Sequence, residues 1–163
     1  MTKNYYFDKG IGTTNHELFE LSRQNKIKLS LNNIIMMNQL HSIPLKREMS
    51  LILNLNNIGQ LGSHWVVFYV RNKKAVFIDS FGGCPSIEVW EYVNAHKLKL
   101  GYSNYICQDL KSSRCGLFCL SALKYLQNGQ GCIFKLANEY VNQYEPTFVK
   151  DYNEKQCIKG LKI

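Results

Sequence analysis

The spacing of apolar residues at the start of the chain predicts two helices. Residues 14–17 form a capping box, in which Thr14 and Glu17 can each bond an unpaired backbone N–H at a helix start. Apolar residues then recur at helical spacing and extend this helix through about Asn25. A second, shorter helix is predicted over residues 31–40.

Beyond Pro44 the pattern changes to short runs of β-branched, aromatic and other apolar residues. Three such runs, at 51–55, 65–70 and 76–79, predict strands. The polar residues 71–74 between the last two runs predict a turn and, with it, an antiparallel hairpin. The three strands are therefore expected to belong to one sheet.

The second half of the chain alternates helical and strand patterns. Ile87, Trp90 and Val93 are spaced for one buried face of a helix. Ser112 or Ser113 can cap a later helix that begins at a cysteine. The predicted elements are, in chain order, a helix over 86–96, a strand over 102–107, a helix over 115–126, a helix over 134–144 and a lysine-rich tail.

The bulk properties indicate one folded domain. The chain has 163 residues, of which 45% are hydrophobic and 20% are charged, and this balance suits a packed globule rather than a disordered chain. No repeat, low-complexity tract or flexible linker divides the sequence, so residues 1–163 are expected to form a single domain. No run is apolar enough to span a membrane, and the start lacks the pattern of a secretory leader.

The net charge and the cysteine content indicate which partners the protein could bind and whether its compartment is reducing. The net charge of +8 favours polyanions such as nucleic acid, although scattered lysines also suit an ordinary solvated surface. Six cysteines are present, but a chain this apolar does not need disulfides, so a reducing compartment is expected. Cys115 and Cys119, at helical spacing, lack the second ligand pair of a structural zinc site, and no metal is expected.

One cysteine lies where a catalytic nucleophile is expected. Cys115 begins a predicted helix after a polar loop, and a helix N-terminus together with a nearby imidazolium stabilises a thiolate. Gly116 would let a substrate backbone approach closely. The commoner alternative is a buried helical cysteine with a purely structural role.

His64 and Asp79 form a second candidate group. His64 opens the strand at 65–70 and Asp79 closes the strand at 76–79, so the hairpin would place them near one another at the same end. A carboxylate there could hydrogen-bond an imidazole nitrogen and fix its tautomer. The alternative is a strand-end histidine and an aspartate that only begins the turn at 79–83.

Four separated blocks, taken together, resemble a known family. They present His, an acid, Gln and Cys in that order and are Gly62 to Phe68, Phe77 to Gly82, Gln108, and Cys115 to Cys119. The pattern resembles the adenovirus protease family over roughly residues 50–125. Within that family, the segment 54–66, which leads into the histidine block, is most similar to the maturation proteases of Polinton/Maverick transposons and virophages. The SUMO-specific proteases are more distant relatives.

The resemblance implies a role for each block. Cys115 would be the nucleophile, His64 the general base and acid, Asp79 the orienting carboxylate and Gln108 the side-chain donor to the oxyanion, with the Cys115 N–H as a second donor. Trp65 would either shield the histidine pair or be an ordinary core aromatic. The implied fold is α+β, with a small mixed or antiparallel sheet packed against a central helix that carries the cysteine, and no cofactor is required.

The resemblance also implies a biological role. A cysteine endopeptidase of this kind would cleave capsid and other virion precursor proteins after motifs such as Gly-Gly or Gly-x-Gly, in the virion, the infected cell cytoplasm or a viral factory. Gln108 precedes Cys115 by seven residues, as in the viral branch, and Arg114 stands where SUMO proteases carry Asp. A monomer with no membrane partner is expected.

Three other functions remain open at this point. An isopeptidase acting on SUMO or a ubiquitin-like modifier would share the triad. A catalytically dead, DNA-binding capsid component would keep the fold, although all four site positions are present. An acyltransferase would aminolyse the thioester, but no acetyl-donor or inositol-phosphate site is recognisable. Stimulation by DNA or by a peptide is also open, and the cysteine that adenovirus protease uses for its peptide has no clear match.

Overall fold

A mixed β-sheet forms the centre of the protein. The computed structural model describes residues 12–56, 64–109, 112–145 and 150–163. In these ranges the strands, in their order across the sheet, are β1 (Ile34–Met36), β2 (Glu48–Asn54), β3 (Trp65–Arg71), β4 (Lys74–Ile78) and β5 (Lys99–Tyr102). β2, β3 and β4 are antiparallel, whereas β1 and β5 each run parallel to their neighbour. The sheet is therefore mixed, as predicted.

Helices cover both faces of this sheet. They are α1 (Asn15–Gln24), α2 (Ile87–Ala95), α3 (Cys115–Asn128), α4 (Ile133–Val141) and α5 (Lys150–Lys159). Side chains alternate between the faces along a strand. Val67 and Tyr69 of β3 pack with α1, α3 and α4, whereas Val66, Phe68 and Val70 pack with α2. Each face thus has its own apolar core, and α3 lies in the larger one.

The β3–β4 hairpin forms as predicted. Phe68 pairs with Phe77, and Asn72 and Lys73 make a two-residue turn between the strands. Both turn residues have positive φ, 50° and 66°, and this backbone matches the twist of antiparallel strands. The hairpin register brings the start of β3 and the end of β4 together.

The starts of α1 and α3 were both predicted from the local sequence, but only the predicted cap of α1 is present. The α1 capping box is confirmed, since Thr14 Oγ1 accepts the Glu17 N–H at 3.2 Å and the Glu17 carboxylate accepts the Thr14 N–H at 2.7 Å. α3 begins at Cys115 as predicted, but its cap residue is Arg114 and no side chain caps the helix. Ser112 Oγ instead accepts the Arg114 N–H at 3.3 Å, just ahead of the helix.

The helix predicted over 31–40 is wrong. β1 occupies the middle of this segment, between short 3₁₀ helices at Leu31–Asn33 and Met37–Ser42. Ile34 pairs with Ile52 of β2. Adjacent β-branched residues suit a strand better than a helix, and pairing with a buried neighbouring strand decides the outcome.

The strand predicted over 102–107 is also wrong. β5 pairs with β4 and ends at Tyr102. Residues 103–107 have no regular secondary structure and lead to Gln108. The crossover through α2 returns the chain beside β4 at residue 99, so the strand forms earlier than the apolar run suggests.

The buried face predicted for α2 is displaced. Ile87 and Trp90 are 65% and 38% exposed, while Val89, Tyr92 and Val93 are buried against the sheet. Apolar residues fit helical spacing on two faces of α2, and only packing chooses between them. Further along, α4 ends before the predicted residue 144, and the lysine-rich tail contains α5.

Several predicted features lie outside the described residues. They are Gly62 and Ser63 of the first block, Leu110 and Lys111 of the loop before the cysteine, and Pro146. His64, Asp79, Gln108 and Cys115 all lie in the described ranges. No helix in those ranges is long and apolar enough to cross a membrane.

Candidate active site

Two polar residues meet at the end of the β3–β4 hairpin. His64 immediately precedes β3 and Asp79 immediately follows β4. His64 Nε2 lies 2.5 Å from Asp79 Oδ1, and both residues are buried. The predicted proximity of these residues is therefore present in the structure.

The turn after β4 holds the Asp79 carboxylate. Asp79 Oδ1 also accepts the Phe81 N–H at 2.8 Å, and the Asp79 carbonyl accepts the Gly82 N–H at 2.8 Å. Gly82 has a φ of +73°, which glycine adopts without strain. A Cβ at Gly83 would collide with the Asp79 carboxylate. Asp79 thus begins a turn and binds the imidazole at the same time. The two alternatives for this residue, a turn former and a partner of His64, are both present.

The surroundings of His64 favour its protonated form. Burial lowers the pKa of the imidazole, but hydrogen bonding and negative charge from Asp79, and then from Cys115, raise it to about 9. The Phe81 ring stacks on the imidazole, with centroids 4.3 Å apart and planes inclined by 16°. Because Nε2 is bound to Asp79, Nδ1 is the free nitrogen, and it has no complete hydrogen bond to any described residue.

Cys115 is the first residue of α3 and is buried beside this imidazole. Its thiol acts on the pKa of His64 without completing a hydrogen bond to Nδ1, and such contacts are often long before substrate binds. N–H groups at a helix start have no partner within the helix, and the helix dipole favours negative charge there. A 2.6 Å ion pair between Arg114 and Glu154 ties this end of α3 to α5.

Gln108 is anchored at both ends of its side-chain amide. It is fully buried. Oε1 accepts from Ser80 Oγ at 2.5 Å, and Nε2 donates to the Ser112 carbonyl at 2.9 Å. Ser112 lies three residues before Cys115, so Gln108 is tethered to the approach to α3. The second N–H of Nε2 has no acceptor in the described part of the chain.

Gly116 has a different role from the predicted one. A Cβ at this position would collide with Thr13 Oγ1 and would lie 2.8 Å from Leu18 Cδ2. The space beside Gly116 is therefore filled by Thr13, just ahead of α1, and by Leu18 of α1 rather than kept for a substrate backbone. The Trp65 indole N–H donates to the Thr13 carbonyl at 2.9 Å. Trp65 is half-buried against the larger core and also lines the space beside Cys115, so both interpretations of this residue stay open.

Replacing Gly116 with alanine is expected to lower the free energy of unfolding by about 1–3 kcal/mol, because the added methyl must displace Thr13 and Leu18 in a packed region. Urea unfolding followed by circular dichroism measures this change. Gly160→Ala is the matched control, since no atom lies within 4 Å of its Cβ position. Equal effects in the two variants would contradict the close packing at Gly116.

Sequence reasoning missed three residues that shape the site. Ser80 bonds Gln108, Phe81 stacks on His64, and Thr13 packs against the start of α3. Ser80 and Phe81 directly follow Asp79 in the block Phe77 to Gly82. Their position next to the predicted acid could have marked them as site residues. Thr13 has no such signal, because its hydrogen bond comes from a residue 52 positions away.

The other thiols differ from Cys115 in their surroundings. All six cysteines lie in the described ranges, and none forms a disulfide. Burial raises the pKa of Cys107 to about 12 and raises the pKa values of Cys119 and Cys157 well above their usual range, so these three thiols stay protonated. Among the described residues, no group of three or more His, Cys, Asp or Glu side chains could hold a metal ion.

A cleft of about 450 Å³ opens beside Cys115. Its walls come from residues 12–15, β1, Gln39, Asn54 and Trp65. In the described sheet β1 is an edge strand, paired only with β2. A larger cavity of about 670 Å³ lies between α3, α4 and α5, and none of the four site residues lines it. The smaller cleft is therefore the one that serves the candidate site.

The described fold is similar to that of a solved protease. No family model and no curated protein matches the chain. A selenomethionine crystal structure of the ASFV pS273R protease matches with a TM-score of 0.65 and 12% identity, over 96% of this chain and 70% of that chain. A second crystal structure of that protease matches with a TM-score of 0.56 and 14% identity, over 92% and 67%.

At this level of identity the likeness establishes the fold. The chain has an α+β fold, with a mixed sheet and surrounding helices, that is similar to the fold of the ASFV pS273R protease. The predicted fold class is confirmed. The closer likeness to Polinton and virophage proteases stays a prediction, as do the catalytic roles of the four site residues.

Proposed function

We propose that this protein is a cysteine endopeptidase that cleaves capsid and other virion precursor polypeptides. One observation carries the proposal: His64 bonds Asp79 through Nε2 at 2.5 Å, while Nδ1 is free beside the Cys115 thiol at the start of a helix. A nucleophile, a base and an orienting acid need this order of contacts. The likeness of the fold to a protease supports the same conclusion.

In the first half-reaction the Cys115 thiolate attacks the carbonyl carbon of the scissile peptide bond. An S–C bond forms and the carbonyl electron pair moves to oxygen. When the C–N bond breaks, the His64 imidazolium gives its Nδ1 proton to the leaving amine. A His64 pKa of about 9 keeps this proton available at neutral pH. The products are an amine and an acyl thioester.

Water completes the cycle. Neutral His64 takes a proton from a water molecule as the water oxygen attacks the thioester carbon. The second tetrahedral species then expels the Cys115 thiolate and leaves a carboxylic product, and His64 is again an imidazolium. Asp79 stabilises the imidazolium throughout and does not itself take the proton.

Gln108 and the Cys115 backbone N–H would bind the oxyanion of both tetrahedral species. The Gln108 amide is held by two hydrogen bonds in a fully buried position, so it needs little reorganisation when charge develops. In such a site one donor lowers the barrier by about 3–4 kcal/mol.

The substrate class rests on four observations. The order and content of the four blocks resemble viral maturation proteases, and Gln108 precedes Cys115 by seven residues. Arg114, which stands where SUMO proteases carry Asp, pairs with Glu154. The cleft beside Cys115 borders the edge strand β1, and an extended polypeptide can bind along a sheet edge.

Incubation with two substrate sets tests this function. Wild-type protein is expected to cut the co-encoded capsid precursor and to leave fluorogenic SUMO and ubiquitin conjugates intact, with and without added DNA. Cys115→Ala should be inactive, whereas Cys132→Ala, which removes an exposed thiol, should retain activity. Turnover of the conjugates alone would contradict the proposed role in virion maturation and would identify the protein as an isopeptidase that removes a modifier. No turnover of either set by folded protein would sink the hydrolase proposal.

A further inference from the structure

We propose that Ser80 is the positioning residue for Gln108 and therefore for the oxyanion site. This inference rests on the proposed function, because it assigns a role within the same reaction. Ser80 Oγ lies 2.5 Å from Gln108 Oε1. Ser80 is 4% exposed and Gln108 is 0% exposed, so this hydrogen bond is shielded from bulk water.

The two partners of the Gln108 amide determine which way it faces. The Ser112 carbonyl oxygen can only accept a hydrogen bond, so the atom of Gln108 that lies 2.9 Å from it must be the nitrogen. Oε1 then faces Ser80, and the Ser80 hydroxyl must be the donor. Rotating the amide by half a turn would set two oxygens against each other at Ser112.

Ser80 holds Gln108 through its backbone as well. Its carbonyl oxygen accepts the N–H groups of Cys107 at 3.0 Å and Gln108 at 2.9 Å. These two bonds survive when Ser80 is replaced by alanine, which removes the hydroxyl alone. The substitution therefore tests only whether the Ser80 hydroxyl fixes the orientation of the Gln108 amide.

The turn at 79–83 thus serves both parts of the reaction. Asp79 binds the imidazole of the general base, and the next residue, Ser80, binds the amide of the oxyanion donor. One turn therefore contacts both the base and the oxyanion donor. A shift in this turn would misplace both groups together.

A double-mutant cycle tests the assignment. Gln108→Ala is expected to lower kcat by about 10²–10³-fold, the usual effect of removing one oxyanion donor. Ser80→Ala should lower kcat by roughly 10-fold or more, with KM changed by less than about twofold, since the contact matters in the transition state. The Ser80→Ala/Gln108→Ala double variant should equal Gln108→Ala, because Ser80 acts only through Gln108.

Two controls separate positioning from loss of structure. Ser22→Ala removes another fully buried hydroxyl, one that bonds the Phe19 carbonyl at 2.6 Å within α1, and it should leave kcat unchanged. The pH profile of Ser80→Ala should match that of the wild type, because the His64–Asp79 pair is untouched. A displaced profile would assign the effect to Asp79 and overturn the proposal, as would additive losses in the cycle or an unchanged kcat.

A measurement on the amide itself separates this inference from the proposed function. The ¹H–¹⁵N signals of the Gln108 side-chain amide should exchange slowly with solvent in the wild type and clearly faster in Ser80→Ala. If no substrate is cleaved but exchange accelerates in this way, the hydrolase proposal fails while the positioning of Gln108 stands. Equal exchange in the two proteins shows that Ser80 does not hold the amide, whatever the activity.

Discussion

Replacing Cys115 with alanine is expected to lower kcat for peptide cleavage by at least about 10⁴-fold, the scale seen when a catalytic nucleophile is removed. The variant keeps His64, Asp79 and Gln108 but has no atom that can form the acyl intermediate. The free energy of unfolding should change by only about 1 kcal/mol, because a single sulfur atom is removed. Initial rates on the capsid precursor and urea unfolding at the same pH measure the two quantities.

Cys119→Ala is the matched control for this variant. Cys119 lies one turn further along α3, is buried in the larger core, and has a pKa raised by burial. Its replacement removes the same atom type from the same helix while leaving the proposed catalytic groups in place. Activity should therefore be retained in Cys119→Ala and lost in Cys115→Ala. Similar activity in both variants would show that Cys115 is not the nucleophile.

Asp79→Asn is expected to reduce kcat by roughly 10²–10⁴-fold, since the orienting carboxylate can be removed without removing a reacting atom. The variant loses the negative charge beside His64, so the pKa of the imidazole should fall from about 9. The alkaline limb of the kcat–pH profile should move to lower pH accordingly. Glu91→Gln, which neutralises an exposed carboxylate on α2, should leave the profile in place.

The same pair makes folding stability depend on pH. The pKa of His64 rises from its usual value of 6.5 to about 9 in the fold, so the folded state binds the proton more tightly. The resulting stabilisation is complete below about pH 6.5 and is lost as the pH rises through about 9, with an upper size of about 3 kcal/mol. Urea unfolding of wild type should show this decline, and Asp79→Asn should show a flatter curve. A wild-type stability that stays constant over this range would contradict the raised pKa.

Much of the candidate site could be predicted because it follows from local rules. The polar run at 71–74 predicts the hairpin, and the hairpin register alone places His64 near Asp79. The start of α3 at Cys115 follows from helical spacing. Gln108 was found only through the resemblance of the blocks, since a lone glutamine in an irregular segment carries no local signal.

The errors have a common cause, which is that tertiary contacts chose between locally acceptable structures. Residues 31–40 contain apolar positions that fit a helix, but pairing with β2 makes β1. α2 carries apolar residues on two faces, and packing against the sheet buries only one of them. At Gly116 the sequence suggested room for a substrate, whereas Thr13 and Leu18 fill that space.

The sequence by itself predicted the hairpin and, through its resemblance to a protease family, the α+β class and the four candidate residues. These depend on hydrophobic period, turn chemistry and motif order, which are all present in the linear chain. Only the tertiary structure decided which groups hold those residues: Phe81 on the imidazole, Ser80 and Ser112 on the Gln108 amide, and Thr13 against the start of α3. Except for the Gln108–Ser112 bond, these contacts join residues well separated in sequence, and their geometry is set by close packing of the whole fold rather than by any local preference.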